Sequence, residues 1–212
     1  MNESPHYLQP YEEAVKNYGG TFDATLWHSK EGQVKRFDVF CGIVDFTNCS
    51  ILDVGCGIGD FAQYLVEKNI HFSSFYGIDA MPEMIDTADD RSIPNTTFSV
   101  VDVVKKINIL PPSDWITCSG TLNAMGEALA IKVIDALFDH CTVGLAFNFL
   151  SNQNRNTYQY KCGEDPATED LYPASRFNTI ELLRYAMQKT PLVSFTQTYM
   201  GGHDATIVMT RK

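Results

Sequence analysis

The chain has 212 residues, 44% hydrophobic and 20% charged, enough to bury one full core and unlike collagenous, low-complexity or disordered compositions. Lys and Arg number 16 against 26 Asp and Glu, a formal charge of −10 that repels the phosphates of nucleic acid and of anionic membranes. No apolar run reaches the roughly 18 residues of a membrane helix. Met1 to His6 lacks the basic and apolar regions of a secretory signal, so a cytoplasmic location with no nucleic-acid or membrane partner is expected.

In chain order, the first predicted element is a short helix over Leu8 to Tyr18, with Pro10 in its first turn, Glu12 and Glu13 near the positive end, and Gly19-Gly20 as a stop. From Ser29 to Val44, Val34, Phe37, Phe40 and Val44 recur at helical spacing behind Ser29, an N-cap residue type. Residues 1–49 therefore read as helices laid on a main body. From Ser50 short apolar runs alternate with longer periodic segments: strand Ile51 to Val54, helix Gly59 to Asn69, strand Ser74 to Ile78, helix Pro82 to Ala88 and strand Thr97 to Val101. After an irregular stretch come strand Trp115 to Cys118, helix Leu122 to His140 and strand Val143 to Phe149. This rhythm predicts an α/β fold in which βαβ units build a parallel sheet with helices on both faces.

Residues 151–175 break the rhythm. A polar connection of about 25 residues exceeds the usual 12 to 15 and reads as a lid or binding loop. Helix Thr179 to Lys189 follows, then runs Leu192 to Tyr199 and Ala205 to Thr210, joined by Met200 to Asp204 as an antiparallel hairpin. No repeat or second domain is evident, so the whole reads as a single domain, with residues 1–49 covering the site of a domain over 50–212. The cysteines at 41, 49, 56, 118, 141 and 162 form no Cys-x-x-Cys pair and read as reduced thiols. The five histidines show no His-x-x-x-His spacing, so no metal site is expected.

The most informative segment is Ile51-Leu52-Asp53-Val54-Gly55-Cys56-Gly57-Ile58-Gly59-Asp60-Phe61, a strand running through three alternate glycines into a helix. Such glycines let the chain reverse and let a ligand approach the backbone. A dinucleotide turn places a glycine where Asp60 stands, and Asp53 and Asp60 beside a pyrophosphate would be repulsive; no Gly-Lys-Ser/Thr follows for a P-loop. S-adenosylmethionine carries a sulfonium and an ammonium group in place of phosphates, and the acids complement it. The next strand ends in Asp79, about 20 residues on, where a carboxylate accepts ribose hydroxyls. The third ends near Asp102-Val103, which can accept from an adenine amino group. Together these motifs resemble class I S-adenosylmethionine-dependent methyltransferases over roughly residues 50–212.

The resemblance implies a Rossmann-like, seven-stranded, mostly parallel sheet of order 3-2-1-4-5-7-6 with the last strand antiparallel. It also implies a set of cofactor contacts: Asp53, Gly55, Cys56, Gly57, Gly59, Asp79, Ala80, Met81, Asp102, Val103 and Ser119. In that family N-terminal residues often cover the cofactor, a role open here to Tyr11 and Trp27, and Arg36 is a candidate fork for the methionine carboxylate. S-adenosyl-L-homocysteine would be the product.

On the acceptor side, Ser119-Gly120-Thr121-Leu122-Asn123 lacks the Pro-Pro-aromatic signature of base-amino methylating enzymes, and no Pro-Cys pair supplies a cytosine-attacking thiol. The expected acceptor is a small polar molecule methylated on O or N, ordered by Asn123, Tyr158 and Tyr160. His203 beside Asp204 is the candidate base and a further acceptor contact. A non-catalytic S-adenosylmethionine-binding subunit, a methyltransferase acting on a peptide or protein, and an NAD-dependent oxidoreductase are the competing readings.

Overall fold

A computed structural model describes residues 4–106, 110–153 and 173–212. Helix α1 (Gln9–Tyr18) begins with Pro10 in its first turn and stops at Gly19, whose φ of 62° suits glycine. Helix α2 (Lys30–Ile43) is capped as the sequence predicts, the Ser29 Oγ accepting from the Gly32 N–H at 3.1 Å. The body then alternates β1 (Ser50–Val54), α3 (Asp60–Glu67), β2 (Ser74–Asp79), α4 (Pro82–Asp90), β3 (Thr96–Val100) and α5 (Val103–Lys106). It continues with β4 (Ser113–Cys118), α6 (Glu127–His140), β5 (Cys141–Ser151), β6 (Arg176–Phe177), α7 (Thr179–Lys189), β7 (Val193–Thr196) and β8 (Asp204–Thr210).

The sheet runs β3-β2-β1-β4-β5-β8-β7, with β8 antiparallel to both β5 and β7. This is the expected order with one addition: the short β6 pairs in parallel with the end of β5, through Leu150–Arg176 and Ser151–Phe177. Three further differences have local causes. The predicted helix from Leu122 is a 3-10 turn, Thr121–Ala124, separated from α6 by Gly126, which sits in extended backbone at ψ 152°. The irregular stretch after β3 contains α5, and the run from Leu192 pairs only over Val193–Thr196.

Side chains alternate across the sheet with period two. Leu52, Val54, Ile116, Leu145, Phe147 and Ile207 join the core shared with α6 and α7. Ile51, Trp115, Ala146 and Val208 face the other layer, where Phe37 and Phe40 of α2 meet Phe61 and Leu65 of α3. Both faces are thus covered, which explains why the strands read as continuous apolar runs.

The N-terminal segment is part of the same body. Ala14 and Val15 pack with Ile58, Met81 and Met84, and Gly20 approaches α4 so closely that a Cβ there would lie 2.1 Å from the Glu83 carbonyl oxygen. Among the described residues no helix is long and apolar enough to cross a membrane, and Cys41, Cys49, Cys56, Cys118 and Cys141 are free thiols.

Candidate active site

The carboxyl ends of β1, β2 and β3 open into a cavity of about 240 Å³. The glycine turn forms its floor. Gly55, Gly57 and Gly59 hold φ of 71°, 54° and 80°, so the turn needs glycine at each. Gly55 is also a close approach, because a Cβ there would lie 2.0 Å from the Thr121 Oγ1, which donates to the Val54 carbonyl. Gly55, Cys56 and Gly57 line the cavity, whereas Gly59 caps α3 beneath it, facing Phe98.

Three strand-end acids converge on this space. Asp53, on β1, is buried and receives a 2.7 Å hydrogen bond from Thr117, its register partner on β4. Burial raises its carboxyl to about 7, more than the Thr117 bond lowers it, and Asp79 adds a smaller upward push. Asp79 closes the turn, accepting from the Gly57 N–H at 3.0 Å and the Met81 N–H at 2.9 Å, and burial raises its pKa as well. With a backbone contact from Ala80 beside them, these bonds still leave room on a carboxylate that offers about four lone pairs. Asp102 accepts from the Tyr7 hydroxyl at 2.9 and 3.1 Å, from the Val104 N–H, and from Lys105 at 3.1 Å.

The remaining predicted contacts divide. Ala80, Met81, Val103 and Ser119 line the cavity, and Ser119 is fixed by Asn148, whose amide donates to its hydroxyl while the Asn148 oxygen accepts from the Gly120 N–H. Asn123 lines it too, but its side-chain oxygen is taken by the Leu150 N–H at 3.1 Å. Arg36 does not line it. Its guanidinium is buried against Asp204, with contacts of 2.8 and 2.5 Å, because only a carboxylate compensates a charge at that depth. His203 is also absent from the lining, its Nδ1 lying 3.0 Å from the other oxygen of Asp204. Tyr158 and Tyr160 fall outside the described residues.

Asp60 needs a second correction. It borders the cavity, yet Arg91 pairs with it at 2.8 Å and Gln33 donates to it at 3.0 Å, so it is no bare charge against a pyrophosphate. Lys105 likewise pairs with Asp102, so Asp53 and Asp79 are the lining acids that face the space without a cationic partner among the described residues. Among the described residues the lining contains Asp53, Asp60, Asp79 and Asp102 and not one Lys, Arg or His.

Sequence reasoning missed Tyr7, Leu8, Leu26 and Phe37, which form the roof with Tyr11, Trp27 and Gln33. Burial is the main reason the Tyr11 hydroxyl is held well above its ordinary range, and the Asp102 bond joins burial in raising that of Tyr7 to about 12. Both remain protonated donors. The sequence signal was the density of aromatics ahead of the core, without a register to place them.

Residues 52–146 match the family model of a methyltransferase domain. Over those residues, fewer than half of the chain, the sequence is similar to a methyltransferase domain. Solved structures share the fold. Magnesium protoporphyrin IX methyltransferase from Synechocystis PCC 6803 with bound SAM has a TM-score of 0.68 at 13% identity, covering 100% of each chain. N-methyltransferase NodS from Bradyrhizobium japonicum WM9, in complex with S-adenosyl-l-homocysteine, gives 0.67 at 13%, covering 98% of this chain and 99% of its own. The small RNA methyltransferase HEN1 gives 0.66 at 14%, covering 85% of this chain and 25% of its own. No curated protein matches the sequence. The methyltransferase domain match ends at Ala146, so β6 to β8 and the N-terminal roof rest on structural likeness alone.

Proposed function

We propose that the protein binds S-adenosylmethionine in this cavity and transfers its methyl group to an O or N atom of a small polar molecule in the cytoplasm. The observation that carries the reading is the sign of the lining: strand-end carboxylates around a glycine turn, with no cationic side chain among the described residues. That electrostatic environment favours a cofactor bearing sulfonium and ammonium charges and disfavours a pyrophosphate. Asp79 would accept from ribose hydroxyls, Asp102 from the adenine amino group, and Met81 would pack against the adenine. When bound, the cofactor supplies a methyl carbon activated by sulfonium and becomes S-adenosyl-L-homocysteine.

The chain's own residues then have to align an acceptor and exclude water. The roof of Tyr7, Tyr11 and Trp27 is suited to exclusion, and Asn123 with Pro173 and Ala174 borders the side from which an acceptor would enter. Because the carbon is already activated, alignment supplies much of the rate. His203 is bound to Asp204 away from this space, so the acceptor's proton would leave through its own ionisation or through Asp53.

Calorimetric titration with S-adenosylmethionine, S-adenosylhomocysteine and NADH tests the cofactor. Binding of the first two and not the third is expected; binding of NADH would overturn the reading. A screen of small amines, phenols and carboxylic acids with radiolabelled methyl donor then tests the acceptor. Binding with no transfer to any of them, but transfer to peptide or RNA, would replace the small-molecule assignment.

A further inference from the structure

Arg36 and Asp204 lie 168 positions apart and join the second helix to the last strand. Both are buried, at 6% and 0% exposure. A charge pair so enclosed seldom stabilises a fold more than an apolar pair of equal volume, so its function is better sought in what it holds. The Arg36 Nη1 donates to the Gly32 carbonyl at 3.0 Å, and Nε and Nη2 face one Asp204 oxygen, so the guanidinium plane is fixed from two sides. The Arg36 Cζ lies 4.4 Å from the centroid of the Trp27 ring. Trp27 in turn reaches across to the loop after β4, where a Cβ on Gly120 would lie 2.7 Å from the ring. Trp27 lines the cavity, and Arg36 does not.

We infer that Arg36 is a positioning residue: held by Asp204, it fixes the Trp27 ring as a wall of the cavity, so that cofactor affinity depends on an ion pair the cofactor never touches. The inference rests on the proposed S-adenosylmethionine reading for its consequence, although the placement of Trp27 is testable without ligand. His203 completes the arrangement through the second Asp204 oxygen, which keeps that carboxylate oriented toward α2. The cation–π contact is partly desolvated, since Trp27 is half-buried and Arg36 buried.

Asp204→Asn would strand a buried guanidinium and risks unfolding the protein. The test therefore uses Arg36→Met with Asp204→Leu, which replaces the pair by apolar groups and keeps the fold. The first readout needs no cofactor. Labelling with 5-fluorotryptophan gives two fluorine resonances, from Trp27 and Trp115, assigned by Trp27→Phe. In the double variant the Trp27 line is expected to shift toward the solvent-exposed position, with the Trp115 line unmoved. An unmoved Trp27 line would overturn the positioning role whether or not the protein binds S-adenosylmethionine.

The second readout is the S-adenosylmethionine dissociation constant. It is expected to rise about tenfold in the double variant, the scale of a partly desolvated cation–π contact. In a Trp27→Ala background the same two substitutions should change it by less than about twofold, since contacting residues couple non-additively. An equal loss in both backgrounds would mean that Arg36 acts independently of Trp27, and would refute the inference. Wild-type protein that binds no S-adenosylmethionine would instead refute the proposed function, leaving the fluorine result to decide the placement of Trp27.

Discussion

If S-adenosylmethionine binds as proposed, Asp53 should tie its affinity to pH. The Asp53 carboxyl titrates at about 7 because burial outweighs the single bond from Thr117. A carboxyl whose folded pKa stands above its unfolded value of 3.8 contributes stability fully below that value and loses it as pH rises through about 7. The unliganded protein is therefore expected to lose stability between about pH 4 and 7 from this group. Cofactor binding has the opposite sign, since a sulfonium or ammonium favours the ionised carboxylate. With a pKa of about 7, roughly 9% of Asp53 is ionised at pH 6 and about 76% at pH 7.5, so affinity for S-adenosylmethionine should rise about eightfold between them. An α-amino group titrates at about 7.7 to 8.0, so roughly a quarter to two-fifths of the ligand's ammonium is lost at pH 7.5, which trims the rise to about five- or sixfold where binding needs that charge. Calorimetry in buffers of different ionisation enthalpy reads both the affinity and the protons released. Asp79 is raised in the same direction, so the deciding quantity is the slope lost on Asp53→Asn. A dissociation constant that stays level from pH 6 to 7.5, or a slope unchanged in Asp53→Asn, would refute the reasoning.

Asp79→Ala should do two things at once. It strands the Gly57 and Met81 N–H groups at about 1 to 3 kcal/mol each, lowering the melting temperature by about 4 to 24 °C, and weakens S-adenosylmethionine binding by at least about tenfold; unchanged affinity in folded protein would remove Asp79 from the site. Tyr7→Phe deletes the bond to Asp102 that anchors the chain ahead of α1 and should speed limited proteolysis near Tyr7 about tenfold, from about 1.5 kcal/mol of lost charged hydrogen bond; equal cleavage rates would show that the segment is held by packing alone. His203→Ala should leave methyl transfer at saturating S-adenosylmethionine within about twofold, because a base contributing about 10² to 10⁴ must reach the acceptor and this ring is turned to Asp204. A loss of that size would restore His203 as the base.

What was legible in the sequence is what neighbouring residues decide. The three alternate glycines forced a turn at one place, and each has the positive φ that forces it. Strand-end acids were legible because period two and strand length fix which residue leaves the sheet at its carboxyl edge, and Asp53, Asp79 and Asp102 all face the cavity there. The acidic character of the lining was legible, but the pairing of its members was not, since nothing near Asp60 announces Arg91, 31 positions away. Distance in sequence also hid Tyr7 from Asp102, 95 positions on, and Arg36 from Asp204. A basic residue on a helix with a carboxylate cofactor in prospect invites a direct contact, but its burial is set by the last strand, which no local pattern places.

The two halves of the cavity consequently differ in how they are built. The acid floor belongs to β1, β2 and β3 and the turn, where backbone geometry alone sets each carboxylate to within a residue. The roof is assembled from segments that meet only after the sheet has formed, through Tyr7 on Asp102, Trp27 on Gly120 and Arg36 on Asp204. Substitutions in the floor should therefore change the charge felt by a cofactor and so its pH dependence. Those in the roof should change how well water is excluded and so act at all pH values alike. Measuring S-adenosylmethionine affinity for Asp53→Asn and for the Arg36→Met, Asp204→Leu pair across pH 6 to 7.5 separates the two: the first should flatten the profile, the second lower it in parallel. If the roof variant also flattened the profile, the two halves would not be independent, and Arg36 would be acting on the acids through its charge.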